Sequence, residues 1–272
     1  MKYLTANGTQ IPVIGFGTFR LGGNQCVEAV NDAITIGYRH FDTAVMYGNE
    51  AETGEGIRRS GINRHEIFIT TKLWTDSLAP RSVRQTTSES LKYLKTDYID
   101  LLLIHWPSSS VPLEDTLEAM NELRLEGKVR FLGVSNFTIA WMEKVEKTGV
   151  PVITNQVEYH ALLSQEKLLN YLNSAGMFLT AYSPLAKGRL AYHPVMQEIG
   201  RKHNKTGSQI ALGWLVQQEG VSAIPKASSS EKRRKNFDIF NFQLDSEDLE
   251  RIALLEKDQR LIDIPGMSPD WD

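Results

Sequence analysis

A chain of 272 residues, 41% hydrophobic and 23% charged, carries enough apolar surface for a large core, which excludes disorder over most of its length. A net charge of -3 gives no general attraction to nucleic acid or to a membrane surface, and one cysteine, Cys26, leaves no intrachain disulfide and no thiolate metal cluster. The opening segment MKYLTANGTQIPVIG lacks the apolar run of a signal peptide, no stretch of about 18 residues is free of charge, and the histidines at 40, 65, 105, 160, 193 and 203 show no metal-ligand spacing, so a cytoplasmic protein with no membrane span and no metal is expected.

Asn7-Gly8, between Tyr3-Leu4-Thr5 and Gln10-Ile11-Pro12, predicts a short hairpin that can plug one end of a barrel. Beyond it, β-rich runs alternate with amphipathic stretches, the pattern of a parallel sheet with crossover helices. Strands are predicted at 13–17, 40–43, 67–72, 98–105, 131–135, 153–157, 178–183 and 222–226. Helices are predicted at 24–36, 50–60, 80–95, 112–126, 139–147, 165–175 and 208–218, with a serine-capped helix after Lys226 and a last one at 245–255. Eight such units in a chain of this length imply an α/β fold closed into a (β/α)8 TIM barrel over 1–272, with an N-terminal β-hairpin and a C-terminal tail, 261–272, whose Trp271 can reach the barrel mouth. No linker, composition break or repeat marks a second domain.

Polar residues close most of the predicted strands: Asp42, Lys72, His105, Ser135-Asn136, Gln156, Tyr182-Ser183 and Lys226. A barrel gathers these positions at its C-terminal mouth, where this fold places active sites. Strands also end simply where polarity rises, but that does not account for Lys72 closing IFITTK or His105 closing YIDLLLIH. A lysine there needs a carboxylate, and Asp42 is the candidate. Tyr47 follows Asp42 by five residues, and a phenol beside a lysine cation can give a proton to a carbonyl oxygen as negative charge develops on it. The lysine is expected to lower the phenol pKa from about 10 toward neutrality, and His105 to orient the carbonyl by a hydrogen bond. Singly, each residue has an ordinary structural explanation; together they predict carbonyl reduction with Tyr47 as general acid.

The segments GFGTF (15–19), FDTAVMYGNE (41–50), ITTKLW (69–74), LLLIHWP (101–107), GVSNF (133–137), TNQVEYH (154–160), AYSPLAKG (181–188) and AIPKAS (223–228) resemble, in order, the aldo-keto reductase family. The resemblance implies a catalytic tetrad of Asp42, Tyr47, Lys72 and His105. It implies nicotinamide contacts from Ser135, Asn136 and Gln156, with Tyr182 stacking on the ring. Further cofactor contacts implied in the same way come from Thr18, Phe19, Ser183, Leu185, Gly188, Ile224, Ala227 and Asn236. Within the family, the ending QRLIDIPGMSPDWD, the HWPSSS loop and the short connections are most similar to bacterial 2,5-diketo-D-gluconate reductases of the type that also reduces methylglyoxal.

Gly15 and Gly17 are not followed by the third glycine of a dinucleotide fingerprint, since Arg20 stands there; they are read instead as letting the first strand pass close to the cofactor. A short-chain dehydrogenase is excluded because no tyrosine precedes a lysine by four positions; Tyr182 and Lys187 are five apart. Phosphate binding falls to the segment KASSSEKRRKN (226–236), where Lys226, Ser228 and Lys232 lie near a helix N-terminus, with Arg233 as a substitute. The family pattern is IPKS with an arginine five residues after the serine; Ala227 and Lys232 replace the two, and much of KRRK also suits a solvated helix face. NADPH is expected as cofactor in preference to NADH. Phe19, Met46, Trp74, Trp106, Phe137 and Trp271 are expected to line the substrate pocket around Tyr47 and His105, although aromatics there also suit packing of the mouth. With no cationic clamp for a carboxylate in view, a small aldehyde, ketone or α-dicarbonyl is expected as the partner of a monomeric enzyme. The alternatives are a cofactor-binding regulatory or structural barrel with little turnover and a metal-dependent barrel enzyme.

Overall fold

The structure is a computed structural model and describes residues 1–6 and 8–272. Two antiparallel strands, β1 (Tyr3–Ala6) and β2 (Thr9–Pro12), pair from Tyr3 opposite Pro12 to Ala6 opposite Thr9. The expected hairpin is present; Asn7 of its turn lies outside the described residues.

The main sheet contains β3 (Phe16–Gly17), β4 (His40–Asp42), β5 (Phe68–Leu73), β6 (Ile99–Ile104), β7 (Val129–Ser135), β8 (Val152–Glu158), β9 (Phe178–Tyr182) and β10 (Val221–Ala223), all parallel and in chain order. The Gly15 amide donates to the Ala223 carbonyl at 2.8 Å and the Ala223 amide to the Val13 carbonyl at 2.9 Å, which joins the last strand to the first. The predicted (β/α)8 barrel is therefore formed. β5 and β6 are buried at every position because helices cover one face and the barrel interior the other. Ala6 and Ile11 of the hairpin pack with Phe68, Leu101, Ile153 and Phe178, closing the N-terminal end.

The surrounding helices are α1 (Gly23–Ile36), α2 (Glu50–Ser60), α3 (Pro80–Leu94), α4 (Leu113–Leu125), α5 (Ile139–Lys147), α6 (Glu166–Ser174), α7 (Arg189–Tyr192), α8 (Pro194–His203), α9 (Gly207–Val216), α10 (Ser230–Phe237) and α11 (Ser246–Ala253). The pair α7 and α8 was not expected. The signals are local: Pro194 opens α8, where a missing N–H costs nothing, and Asn204 ends it in a left-handed conformation. α8 buries only Met196, Ile199 and Gly200, too few apolar positions to stand out as a period.

Gly15 and Gly17 also serve the barrel seam: a Cβ on Gly15 would lie 2.8 Å from His40 Nδ1, and one on Gly17 would lie 2.9 Å from the Ile224 carbonyl oxygen, so their small size admits the neighbouring strands. One expectation is corrected: the last strand stops at Ala223, before Lys226, because Pro225 has no N–H to extend the ladder.

Candidate active site

Asp42 and Lys72 stand at adjacent strand ends, and neither has appreciable exposed surface. Lys72 Nζ donates to Asp42 Oδ1 at 2.5 Å and to the Thr43 carbonyl at 2.7 Å, and lies 3.4 Å from the Tyr47 hydroxyl. Gln156 Nε2 donates to Asp42 Oδ2 at 2.8 Å, so both carboxylate oxygens are engaged. Burial lowers the lysine pKa, while Asp42 opposes that shift. A buried ammonium with these partners is positioned by hydrogen bonds on defined sides and has little freedom to move.

Tyr47 ends a short 3-10 turn, Val45–Tyr47, held against β5. Its pKa is pushed well above the ordinary value, by burial first and by Asp42 second. The expected shift of the phenol toward neutrality is thus reversed, because loss of hydration, reinforced by the Asp42 charge, disfavours the phenolate. The phenol keeps its proton, as an acid must. The His105 ring lies edge-on to Tyr47 at 5.7 Å and to Trp74 at 5.1 Å. Burial, then the Lys72 charge, lowers its pKa well below the usual value, so the imidazole is neutral.

The expected nicotinamide contacts form one connected set. Ser135 Oγ donates to the Gln156 carbonyl at 2.8 Å, and Asn136 Nδ2 donates to the His105 carbonyl at 3.0 Å and to Ser135 Oγ at 3.1 Å. The Tyr182 hydroxyl donates to Asn136 Oδ1 at 2.7 Å. Thr18 is fully buried and donates to the Asp42 carbonyl at 3.0 Å. After β9 the backbone takes positive φ at Ser183, Ala186, Lys187 and Gly188, a density of strain that folds tolerate mainly where a loop must present itself to a ligand. Leu185 lies within this loop, and Ile224 is buried at the seam.

The segment after β10 divides in two. Lys226, Ser228 and Lys232 are exposed, and neither lysine takes part in an ion pair among the described residues. Ser229 caps α10 by accepting from the Lys232 amide. Arg233, by contrast, is buried: Nε donates to Asp32 Oδ2 at 2.6 Å, and Nη1 donates to the carbonyls of Ala227 and Ser228, both at 3.1 Å. It shapes the loop from beneath, which corrects its expected role as a substitute phosphate ligand. Ala227 and Asn236 are also buried.

Among the expected pocket residues, Phe19 and Met46 are exposed, and the Phe19 ring lies 4.9 Å from that of Tyr47. Trp271 of the tail meets Trp106 edge-on at 6.3 Å, which leaves Trp106 only 3% exposed. Phe137 is 1% exposed and packs on Trp141 at 5.6 Å; it is a core residue beneath α5, and its placement in the pocket wall is corrected.

Comparisons with known proteins agree with this geometry. The profile of the aldo/keto reductase family matches residues 13–257. The chain belongs to that family. It is 41% identical over 266 residues to methylglyoxal reductase DkgB of Escherichia coli O157:H7, covering 96% of this chain and 99% of the relative. It is 40% identical to glyoxal reductase of Bacillus subtilis, covering 97% and 94%. A solved structure of a proposed 2,5-diketo-D-gluconic acid reductase B superposes with a TM-score of 0.97 at 43% identity, covering 100% of this chain and 98% of the other. The aldose reductase of Schistosoma japonicum superposes at 0.91 with 35% identity, covering 96% and 94%. The protein is an NAD(P)H-dependent oxidoreductase of the aldo/keto reductase family.

Two buried residues of this reductase site were not singled out in the sequence. Asn49 accepts from Thr43 Oγ1 at 2.7 Å and donates to the carbonyls of Thr18 at 2.9 Å and Leu21 at 2.7 Å, tying the first loop to the one that carries Tyr47. Glu50 accepts from Thr71 and Ser90 behind Lys72. Both stand in FDTAVMYGNE, where Asn49 precedes and Glu50 opens α2.

Proposed function

We propose that the enzyme reduces small aldehydes, ketones or α-dicarbonyls to alcohols with NADPH, and that Tyr47 is the general acid. The observation that carries this reading is the dry Lys72 ammonium, fixed by Asp42 and the Thr43 carbonyl, with the still-protonated Tyr47 hydroxyl 3.4 Å away. The neutral His105 offers a ring nitrogen to the carbonyl oxygen and places it near the phenol. As charge develops on that oxygen, Tyr47 gives up its proton, and Lys72 stabilises the phenolate left behind. Asp42 and Gln156 keep the ammonium and its carboxylate partner from rearranging. The linked side chains of Ser135 and Asn136, with the Gln156 carbonyl, fit a carboxamide, with donors and acceptors at one end of β7 and β8. A reduced nicotinamide, when bound, supplies the hydride. The exposed Lys226, Ser228 and Lys232 suit a 2′-phosphate and favour NADPH over NADH.

The relatives named as methylglyoxal and glyoxal reductases support α-dicarbonyls as the first substrates to try. The absence of a helix long and apolar enough to cross a membrane among the described residues is compatible with a cytoplasmic enzyme. The test is NADPH oxidation with methylglyoxal, glyoxal and a panel of aldehydes, repeated with NADH. Turnover with NADPH is expected; tight NADPH binding without turnover across the panel would replace the reading with a cofactor-binding barrel.

A further inference from the structure

The loop that joins β10 to α10 is held from beneath by two residues that have no part in the reading above. Arg233 Nη1 donates to the carbonyls of two successive residues, Ala227 and Ser228, both at 3.1 Å, while Nε donates to Asp32 Oδ2 at 2.6 Å. Asp32 stands on α1, and its other oxygen, Oδ1, accepts from Ser230 Oγ at 2.9 Å. One carboxylate therefore holds both the arginine and the first residue of α10. The Tyr38 hydroxyl, just beyond α1, donates to the Arg233 carbonyl at 3.0 Å and adds a third tie.

A trans peptide sets each carbonyl opposite the N–H of the next residue. Capture of the Ala227 and Ser228 carbonyls on the inner side thus turns the amides of Ser228 and Ser229 to the outer side. Both serines are exposed, and neither amide has a hydrogen-bond partner among the described residues. Lys226 and Lys232 are exposed on the same segment. Ala227 is buried and has no side-chain donor, so the contact with an anion falls more heavily on amides held in fixed directions. The guanidinium that fixes them is itself buried, and a buried cation keeps its place through its carboxylate partner. Without the Asp32 charge, the grip of Arg233 on the two carbonyls loosens.

We propose that Asp32 and Arg233 are positioning residues for the 2′-phosphate of the cofactor: the ion pair fixes the loop at 226–229 with its amides outward, and neither side chain touches the phosphate. The inference rests on the reading of this segment as the phosphate site for NADPH, and it names the pair that sets the preference over NADH. The sign of the Asp32 effect separates this role from direct electrostatics. By Coulomb's law alone, removing a negative charge beside an anion site strengthens anion binding. Where the carboxylate works by holding Arg233, its removal weakens binding instead.

The test is fluorescence titration of NADPH and NADH, with calorimetry of 2′,5′-ADP and 5′-AMP, on wild type, Asp32→Asn, Arg233→Met and Arg233→Lys, each with its Tm. Asp32→Asn keeps the volume and an acceptor for Ser230; it is expected to raise the Kd of NADPH about fivefold and that of NADH less than about twofold. Arg233→Met should raise the Kd of NADPH and of 2′,5′-ADP about tenfold, with NADH and 5′-AMP within about threefold. Arg233→Lys should recover only part of this, because one ammonium cannot span Asp32 and two carbonyls as the planar fork does. Unchanged or tighter NADPH binding by Asp32→Asn overturns the proposal, and should Arg233→Met not fold, that sign decides alone. Equal losses of NADPH and NADH, or a fall in Tm with their ratio unchanged, would assign the pair to packing of α10 on α1 and overturn it as well. A wild type that binds neither NADPH nor 2′,5′-ADP removes the phosphate site and the proposal together. Selective NADPH binding that Asp32→Asn loses upholds the pair even where no carbonyl is reduced and the reductase reading fails.

Discussion

Lys72 lies near the C-terminal end of β5 and Lys226 follows β10 of the same barrel, yet Lys72 has no exposed surface and three oxygen neighbours, whereas Lys226 is exposed and free of ion pairs among the described residues. The contrast separates two uses of a cation. Burial raises the strength of every contact that Lys72 makes and removes the water that could compete with Tyr47, at the cost of desolvating a charge. Lys226 keeps its hydration and can attract a phosphate by Coulomb force, with a smaller, salt-dependent gain. In the first case position is the product; in the second it is affinity.

The largest effect expected from probing this contrast is at Tyr47. Tyr47→Phe should lower kcat for methylglyoxal by several orders of magnitude with NADPH affinity nearly intact, since it deletes the proton and little volume. Wild-type-like turnover in stopped-flow or steady-state assays would reject Tyr47 as the acid. Because the phenol pKa lies well above its ordinary value, kcat for reduction should show no descending limb from this group up to about pH 9. Next is Lys72→Met, which leaves Asp42 buried without its ion partner and is expected to destabilise the fold by about 3–5 kcal/mol in urea titration, together with a large loss of kcat. A stability change below about 1 kcal/mol would mean that the pair is not as dry as described.

A third buried group carries the comparison into the pH dependence of stability. Burial lowers the His40 pKa from 6.5 to about 4. The folded protein binds this proton more weakly than the unfolded chain does, so the neutral ring contributes fully above about pH 6.5. The contribution is lost as pH falls toward 4, a difference of about 3 kcal/mol. His40→Gln should flatten the stability curve over that interval, and parallel curves for variant and wild type would refute the assignment. The smallest effect is expected at the surface. Lys226→Ala should weaken NADPH about tenfold and NADH much less, measured by fluorescence titration at two salt concentrations. Equal losses for both cofactors would remove Lys226 from the phosphate site.

Strand order and the residues at strand ends were legible because parallel strands buried on both faces read as apolar runs, and a lysine or histidine closing such a run needs a reason. Asp42, Lys72 and His105 stand out on that ground and Tyr47 as a phenol five residues after Asp42, and the barrel brings them together. The seam role of Gly15 and Gly17 was not legible, because the His40 ring and the Ile224 carbonyl that fill the space beside them come from distant parts of the chain. The same holds for Arg233: within KRRK, nothing local distinguishes the arginine that turns inward to Asp32 from the neighbours that stay in water. Phe137 looked like a pocket wall because it follows a strand, but the direction in which it points is set by α5 and Trp141.

By itself, the sequence determined the alternation of strand and helix, the barrel class and the set of polar groups at its mouth, because periodicity and strand-end chemistry are local properties of the chain. Only the tertiary structure decided which of those groups are dry, which cations are paired and which way the tail turns. Desolvation and the place of Asp32 beneath Arg233 depend on residues far apart in sequence. The protonation of Tyr47 follows from that packing, since a charge takes its energy from everything around it and not from its neighbours along the chain.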